Sequence, residues 1–318
     1  MGRPREHRLR GRPVTVSLVI ATFNHARLLG EALDSALSQT LGGVDVVVVD
    51  DGSTDDTPAV LARYGGRVRI VRQPNRGLAA ARNAGIAAAR GRYLAFLDAD
   101  DVVAPTKLAE QLAVLERAPG VGWTYCDVMI ETAATGGKIT ASERFGYGAR
   151  SLDGWLFPEL IRGNFIPAIA PLVRRSLIDA TGGFDESLTA LEDWDLWLRL
   201  ALIAEARYTP AVLATYRVQA AGMSEDRARM DRNRFRVVDK LHRMRPAALE
   251  GLGTLGRRIV ADAHNWLGKE AYARGDWAEA RRRFAASLAT VPWQRQAPRL
   301  LGLSLVRGWT SEGTGSRR

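Results

Sequence analysis

Apolar residues in the first hundred positions come in short unbroken runs stopped by polar residues, and these runs alternate with stretches in which apolar residues recur every third or fourth place. Val14 to Ile20 is β-branched and apolar and predicts a central strand, ending in the polar loop Ala21-Thr22-Phe23-Asn24. Arg27 to Gln39 repeats apolar residues at Leu28, Leu29, Ala32, Leu33, Ala36 and Leu37, the stripe of a helix that packs on a sheet. Val44 to Val49 predicts a second strand running into Asp50-Asp51-Gly52-Ser53-Thr54-Asp55. Pro58 to Tyr64 follows as a short helix, Arg67 to Val71 as a third strand, and Gly77 to Arg90 as an alanine-rich helix. A fourth run, Arg92 to Leu97, stops abruptly at Asp98-Ala99-Asp100-Asp101. This alternation predicts an α/β fold, a mostly parallel sheet sandwiched by helices.

The pattern continues less regularly. Pro105 to Arg117 reads as a helix and Val121 to Ile130 as a strand, whereas Glu131 to Arg150 is glycine- and threonine-rich, has little periodicity and predicts a surface excursion of the kind that forms lids or acceptor loops. Gly163-Asn164-Phe165-Ile166-Pro167 precedes an extended piece and a helix, Arg175 to Thr181, that closes on Gly182-Gly183-Phe184-Asp185. Leu191, Trp194, Leu198 and Ala201 then mark one buried helix face, with Glu192 and Asp193 in its first turn. Glu225 to Arg245 predicts a strongly charged helix, and the pattern is helical again from Thr254.

Composition changes this picture little and charge changes it more. Of 318 residues 46% are hydrophobic and 25% charged, an ordinary globular balance. No apolar run is long enough to span a bilayer, Met1 to Pro13 carries five arginines with no signal-like segment behind it, and the expected location is cytoplasmic. Cys126 is the single cysteine, which excludes an intrachain disulfide and a cysteine zinc cage. The net charge of +10 is uneven: residues 225–318 hold 20 of the 45 Lys and Arg against 10 of the 35 Asp and Glu, Met1 to Pro13 adds a surplus of four, and the body between is slightly acidic. Basic ends on such a body suit nucleic acid, an anionic membrane surface or simply a solvated Arg-rich surface; of these, peripheral contact with an anionic membrane is the partner expected here and nucleic acid is not.

Three acceptor-rich strand ends, at Thr22/Asn24, Asp50/Asp51 and Asp98/Asp100, would share one edge of the sheet, where nucleotides and phosphates sit in such folds. No G-x-G-x-x-G follows the first strand and no Walker A loop is present, which argues against a dinucleotide enzyme or a P-loop NTPase. Carboxylates clustered at Asp98 and Asp100 repel one another unless a cation lies between them, though Asp98 to Asp101 also suit a cap for the helix that follows, a role expected above all of Asp101. Arg82 is a candidate for phosphate charge or a solvent-facing helix residue. Asp193 is a candidate general base on a rigid helix end, or one half of an acidic pair that compensates the helix dipole.

Together these residues resemble a family. Val-Ser-Leu-Val-Ile-Ala-Thr-Phe-Asn, Val-Val-Val-Asp-Asp-Gly-Ser-Thr-Asp, Asn75-Arg76-Gly77 with Ala81-Arg82-Asn83, Leu-Asp-Ala-Asp-Asp, Gly182-Gly183-Phe184-Asp185 and Leu-Glu-Asp-Trp-Asp-Leu-Trp-Leu-Arg stand in the order and spacing of family 2 glycosyltransferases of the A-type fold, over about two thirds of the chain. The resemblance implies a nucleotide-sugar-dependent transferase, usually inverting, with a glycan or lipid-linked acceptor. Thr22, Asn24 and Asp51 match positions that hold base and ribose, Asp51 as partner of a base ring N–H, and Arg82 matches a residue near the base or phosphates. Asp98 and Asp100 look like the D-x-D pair that contacts the donor and binds Mg or Mn bridging the diphosphate, and Asp193 looks like the base that deprotonates the acceptor hydroxyl. One departure stands out: family members often carry a His after Tyr-Arg near the end of the core, and here Gln219 stands in its place, a poorer metal ligand.

Four parts are expected: a basic arm over 1–13, the catalytic domain over 14–224, a helical region over 225–310 and a disordered tail over 311–318. Gly268, Gly275-Asp276-Trp277, Ala280, Phe284 and Pro292 follow the spacing of one tetratricopeptide-like hairpin, which cannot bury its own apolar face and is expected to dock on the catalytic domain. Two other functions fit less well: a sugar nucleotidyltransferase, which would want a glycine-rich first loop, and a silent scaffold that binds a protein partner.

Overall fold

A computed structural model describes residues 15–132, 134–147, 152–219, 226–292 and 298–304. The basic arm and the tail lie outside these residues. The chain divides into two compact units, Met1–Gly222 and Met223–Arg318.

In the first unit, β1 (Val16–Thr22), β2 (Asp45–Asp50), β3 (Arg69–Arg72) and the later strand β4 (Tyr93–Asp98) form the parallel half of the sheet, in the order β3-β2-β1-β4. Leu18, Val19, Ile20, Val47, Val48, Val49, Leu94 and Ala95 are fully buried, so these strands read as continuous apolar runs because both faces are covered. The covers are α1 (Leu29–Leu37), α2 (Thr57–Ala62) and α3 (Leu78–Ala88). On α3 the close approach needs a glycine, since a Cβ at Gly85 would lie 2.2 Å from Val19 Cγ1. In register, Ala21 stands beside Asp98 and Val49, and Thr22 beside Asp50, so the three polar strand ends reach one level.

The rest of this unit turns the sheet mixed. Its elements are β5 (Val102–Val103), α4 (Lys107–Arg117), β6 (Val121–Thr132), β7 (Gly137–Thr140), α5 (Ala141–Phe145), α6 (Phe157–Leu160), β8 (Pro171–Arg174), α7 (Arg175–Thr181), α8 (Glu192–Ala201) and β9 (Glu205–Val218). The strand β8 runs antiparallel to both β4 and β6, β9 lies parallel to β6, and β5 closes the far edge against β9. Part of the predicted excursion 131–150 is regular: β6 continues to Thr132, β7 returns along it as a hairpin, and α5 starts on a capping box between Thr140 and Glu143. β9 is not predicted from the sequence, because its exposed and buried residues alternate irregularly along a half-covered strand.

The second unit is helical: α9 (Arg227–Met244), α10 (Pro246–Glu250), α11 (Thr254–Ala273) and α12 (Trp277–Thr290). Helices α11 and α12 pack against each other, and with the turn between them they carry the glycines and aromatics singled out in the sequence. Phe284 is fully buried against α11 at Gly268, where a Cβ would come within 2.6 Å of its ring. Gly275 turns the chain at φ 80°, and Asp276 caps α12 by accepting the Glu279 N–H at 3.0 Å. None of the helices among the described residues is long and apolar enough to cross a membrane.

Candidate active site

The loops after β1 and β2 are stitched by the side chains that the sequence singles out. Asn24, in the left-handed region at φ 55°, accepts the Thr54 and Asp55 N–H groups on its Oδ1 at 2.8 and 3.3 Å, and its own N–H donates to Ser53 Oγ at 3.0 Å. Asp51 is buried and accepts from Gln73 Nε2 at 2.7 Å and from the backbone N–H groups of Arg76 and Gly77 at 3.0 and 2.8 Å. Its carboxylate therefore orders the Asn75-Arg76-Gly77 loop and the start of α3. Gly52 makes this loop crossing possible: it sits at φ 78°, and a Cβ there would lie 2.7 Å from the Asn75 nitrogen. Beside them, Thr22 Oγ1 and His25 Nδ1 are buried with no hydrogen-bond partner in the protein, two polar atoms that a ligand could satisfy.

At the end of β4 the three aspartates differ. Asp98 keeps partial exposure and accepts from the Arg82 guanidinium on its Oδ1 at 2.6 Å. Burial and then the neighbouring charge of Asp98 push the Asp100 carboxyl above its ordinary range, while His25 and Arg217 pull it down. Asp101 is fully buried and is pushed up further by burial and by both neighbours; its Oδ1 accepts the Arg217 N–H at 2.8 Å and its Oδ2 has no partner. The alternative of a helix cap does not hold for this stretch, Asp101 included: α4 begins at Lys107 after Thr106, with no side-chain cap bond. Asp101 instead fastens the end of β9, whose Arg217 reaches on to Glu31 at 2.7 Å. Hard carboxylate oxygens under mutual repulsion suit Mg or Mn at Asp98 and Asp100. Among the described residues no group of three or more His, Cys, Asp or Glu side chains forms a metal cage.

Arg82 is not solvent-facing. It is 2% exposed, and its second arm donates to Glu192 Oε1 at 2.6 Å, which joins β4 to the first turn of α8. Helix α8 is seated by its own motif: Trp194 and Trp197 donate their indole N–H to the Leu160 and Ile166 carbonyls, and Arg199, paired with Asp195, donates to the Thr181 and Gly183 carbonyls at the end of α7. Just before it, Leu191 is held at φ 60°, a costly conformation for a branched residue. Asp193 remains partly accessible; it accepts from Asn164 Nδ2 at 3.0 Å and from the Trp194 N–H at 2.7 Å. Burial, reinforced by Glu192 and opposed by Arg82 and these two donors, pushes its carboxyl up to about 7.

Thus Asp98 and the acidic pair at 192–193 meet through one arginine, and Thr22, Asn24 and Asp51 gather at the ends of β1 and β2. His25, Asn164 and Arg217 stand outside the residues picked from the sequence. Asn164 could have been found as the lone amide in an apolar segment and Arg217 as the arginine of the Tyr-Arg pair before Gln219, while His25 leaves no such signal.

Residues 17–164 match the model of glycosyl transferase family 2. An uncharacterized glycosyltransferase of Rickettsia prowazekii (strain Madrid E) is 31% identical over 207 residues, 65% of this chain and 64% of that protein. The succinoglycan biosynthesis protein ExoO of Rhizobium meliloti (strain 1021) is 37% identical over 191 residues, 57% of this chain and 54% of that one. The match thus spans less than two thirds of either relative's length. In fold the chain is similar to S. aureus TarS 1-349 in complex with UDP-GlcNAc, with a TM-score of 0.64 and 15% identity over 92% of this chain and 88% of that one. It is also similar to the mannosyltransferase PcManGT of Pyrobaculum calidifontis in complex with GDP-Man and Mn2+, with a TM-score of 0.57 and 21% identity over 94% and 86% of the two chains.

Proposed function

We propose, from the match of residues 17–164 to glycosyl transferase family 2, that this chain moves a sugar from a nucleoside-diphosphate donor to a hydroxyl of a glycan or lipid-linked acceptor, with inversion. The observation that carries the reading is the placing of Asp193: a partly accessible carboxylate on a rigid helix end, tied through Glu192 and Arg82 to Asp98. A base with a carboxyl at about 7 is half ionised near neutral pH, where it can both take and release a proton.

Asp193 accepts the proton of the acceptor hydroxyl as that oxygen attacks the anomeric carbon. The new C–O bond forms on the face opposite the departing diphosphate, and the electron pair of the broken bond leaves with the diphosphate. Asn164 holds the carboxylate in place while this happens. Thr22, Asn24 and Asp51 line the nucleotide end, the unpartnered Thr22 hydroxyl being available to it. Asp98 and Asp100 would hold Mg or Mn, which when bound neutralises charge on the leaving diphosphate; PcManGT carries Mn2+ in its complex. The polysaccharide role in ExoO's name favours a glycan or its lipid-linked precursor as acceptor. The basic surplus of residues 225–318 would hold the protein at an anionic membrane face, and the division near residue 222 suits a catalytic domain with a separate helical region.

The test is release of nucleoside diphosphate over a panel of donors, with and without a chelator, for wild type and Asp193→Asn. Turnover should vanish with the chelator. Asp193→Asn should lose at least a hundredfold in kcat while binding donor as wild type does. Equal turnover in the variant would remove Asp193 from its role, and a chain that binds no donor would point to a scaffold.

A further inference from the structure

Building on the transferase reading, we infer that Arg82 and Glu192 are positioning residues, a buried strut that ties Asp98 on the donor side to the first turn of α8 and so sets where Asp193 stands. Each arm of the Arg82 guanidinium reaches a carboxylate on a different element at 2.6 Å, Asp98 at the end of β4 and Glu192 at the start of α8. Taking Arg82 and Glu192 out of water is costly and is offset only by close, well-directed pairing, with Asp98 completing it from a partly exposed position. Packing α3 on the sheet does not require it, because Ala79, Ala80, Ala81 and Ile86 already bury that helix.

The surroundings hold the strut in one geometry. The Phe184 ring lies against the guanidinium at 5.3 Å and meets Phe96 of β4 and Trp197 of α8 edge-on at 5.0 and 6.4 Å. Asn83, next to Arg82, fixes the Phe184 backbone from both sides, donating to its carbonyl and accepting its N–H at 2.9 Å. Leu191, in the left-handed region, enters α8 immediately before Glu192; such strain persists only where neighbouring contacts over-determine it, and the Glu192 bond is one of them. A donor phosphate would have to displace Asp98 or Glu192 to reach Arg82, whose side chain is 3% exposed. The arginine therefore acts through the carboxylates it holds.

Glu192→Gln keeps the volume and one acceptor but removes the charge, and Arg82→Lys replaces a two-armed fork by a point charge that cannot span both partners. Each is expected to lower kcat by roughly tenfold or more, with the donor Kd from calorimetry within about threefold of wild type. The double variant should be no worse than about twofold below the weaker single one, since residues that act as one unit are not additive. Removing the Glu192 charge should also move the acid limb of the pH–kcat profile to lower pH, which a merely structural loss would not do. Circular dichroism checks folding; should Arg82→Lys not fold, Glu192→Gln decides alone. The inference is overturned if Glu192→Gln turns over within about twofold of an active wild type, or if Arg82→Lys weakens donor binding by about tenfold at unchanged kcat. A wild type with no turnover on any donor overturns the transferase reading, and the strut's role with it.

Discussion

Asp193 owes its acidity to its surroundings, and those make it readable by experiment. Its carboxyl is pushed up to about 7 by burial and by Glu192, so as an acid with a raised value it stays protonated at pH 5 and ionises as pH rises. If it is the base, kcat/KM should fall about tenfold per unit below pH 7 and level off above it, a profile measurable on any active donor. Asn164 donates to the ionised form, so Asn164→Ala should raise the value further and move this limb to higher pH, with donor binding kept. The identity of the candidates was legible at this scale, since carboxylates at strand and helix ends stand out against apolar runs. Their partners were not: nothing near position 82 in the chain says that its guanidinium meets residue 192.

At the scale of elements, the parallel half of the sheet was legible because strands covered on both faces are uninterrupted apolar runs. The mixed half was less so. β9 pairs with β6 along most of its length but is only half covered, and β7 lies mostly exposed, so neither leaves a regular period. The tight seam between α3 and β1 yields a prediction: Gly85→Ala puts a methyl 2.2 Å from Val19 Cγ1. Overpacking of this kind costs about 1–3 kcal/mol, against a gain of up to about 1 kcal/mol in helix propensity, so a lower denaturation midpoint is expected in urea. Gly52→Ala meets both a positive φ and the Asn75 nitrogen at 2.7 Å. It should weaken nucleotide binding more than it lowers the melting temperature, because the loop it distorts carries Asp51.

At the scale of the molecule, the chain carries separate cores. The hairpin core of Ala271, Ala280 and Phe284 is built wholly within the second unit. Gly268→Val, which would drive a side chain into the Phe284 ring, should lower the melting of that unit while leaving donor binding within about twofold of wild type. The charge surplus of residues 225–318 predicts co-sedimentation with anionic vesicles that declines steeply as salt is raised, and none with neutral vesicles.

By itself the sequence determined the order of the first strands and helices, the polar residues at the strand ends and the helical character of the C-terminal region. Those features are local: a period, a turn residue or a run of carboxylates records them within a few positions. The tertiary structure alone decided that Arg82 is buried between Asp98 and Glu192, that Asp101 fastens Arg217 and caps no helix, and that Asn164 holds Asp193. These contacts join residues 16 to 116 positions apart. Which charge meets which is set by how the elements pack, and one residue's neighbours in the chain hold no record of that.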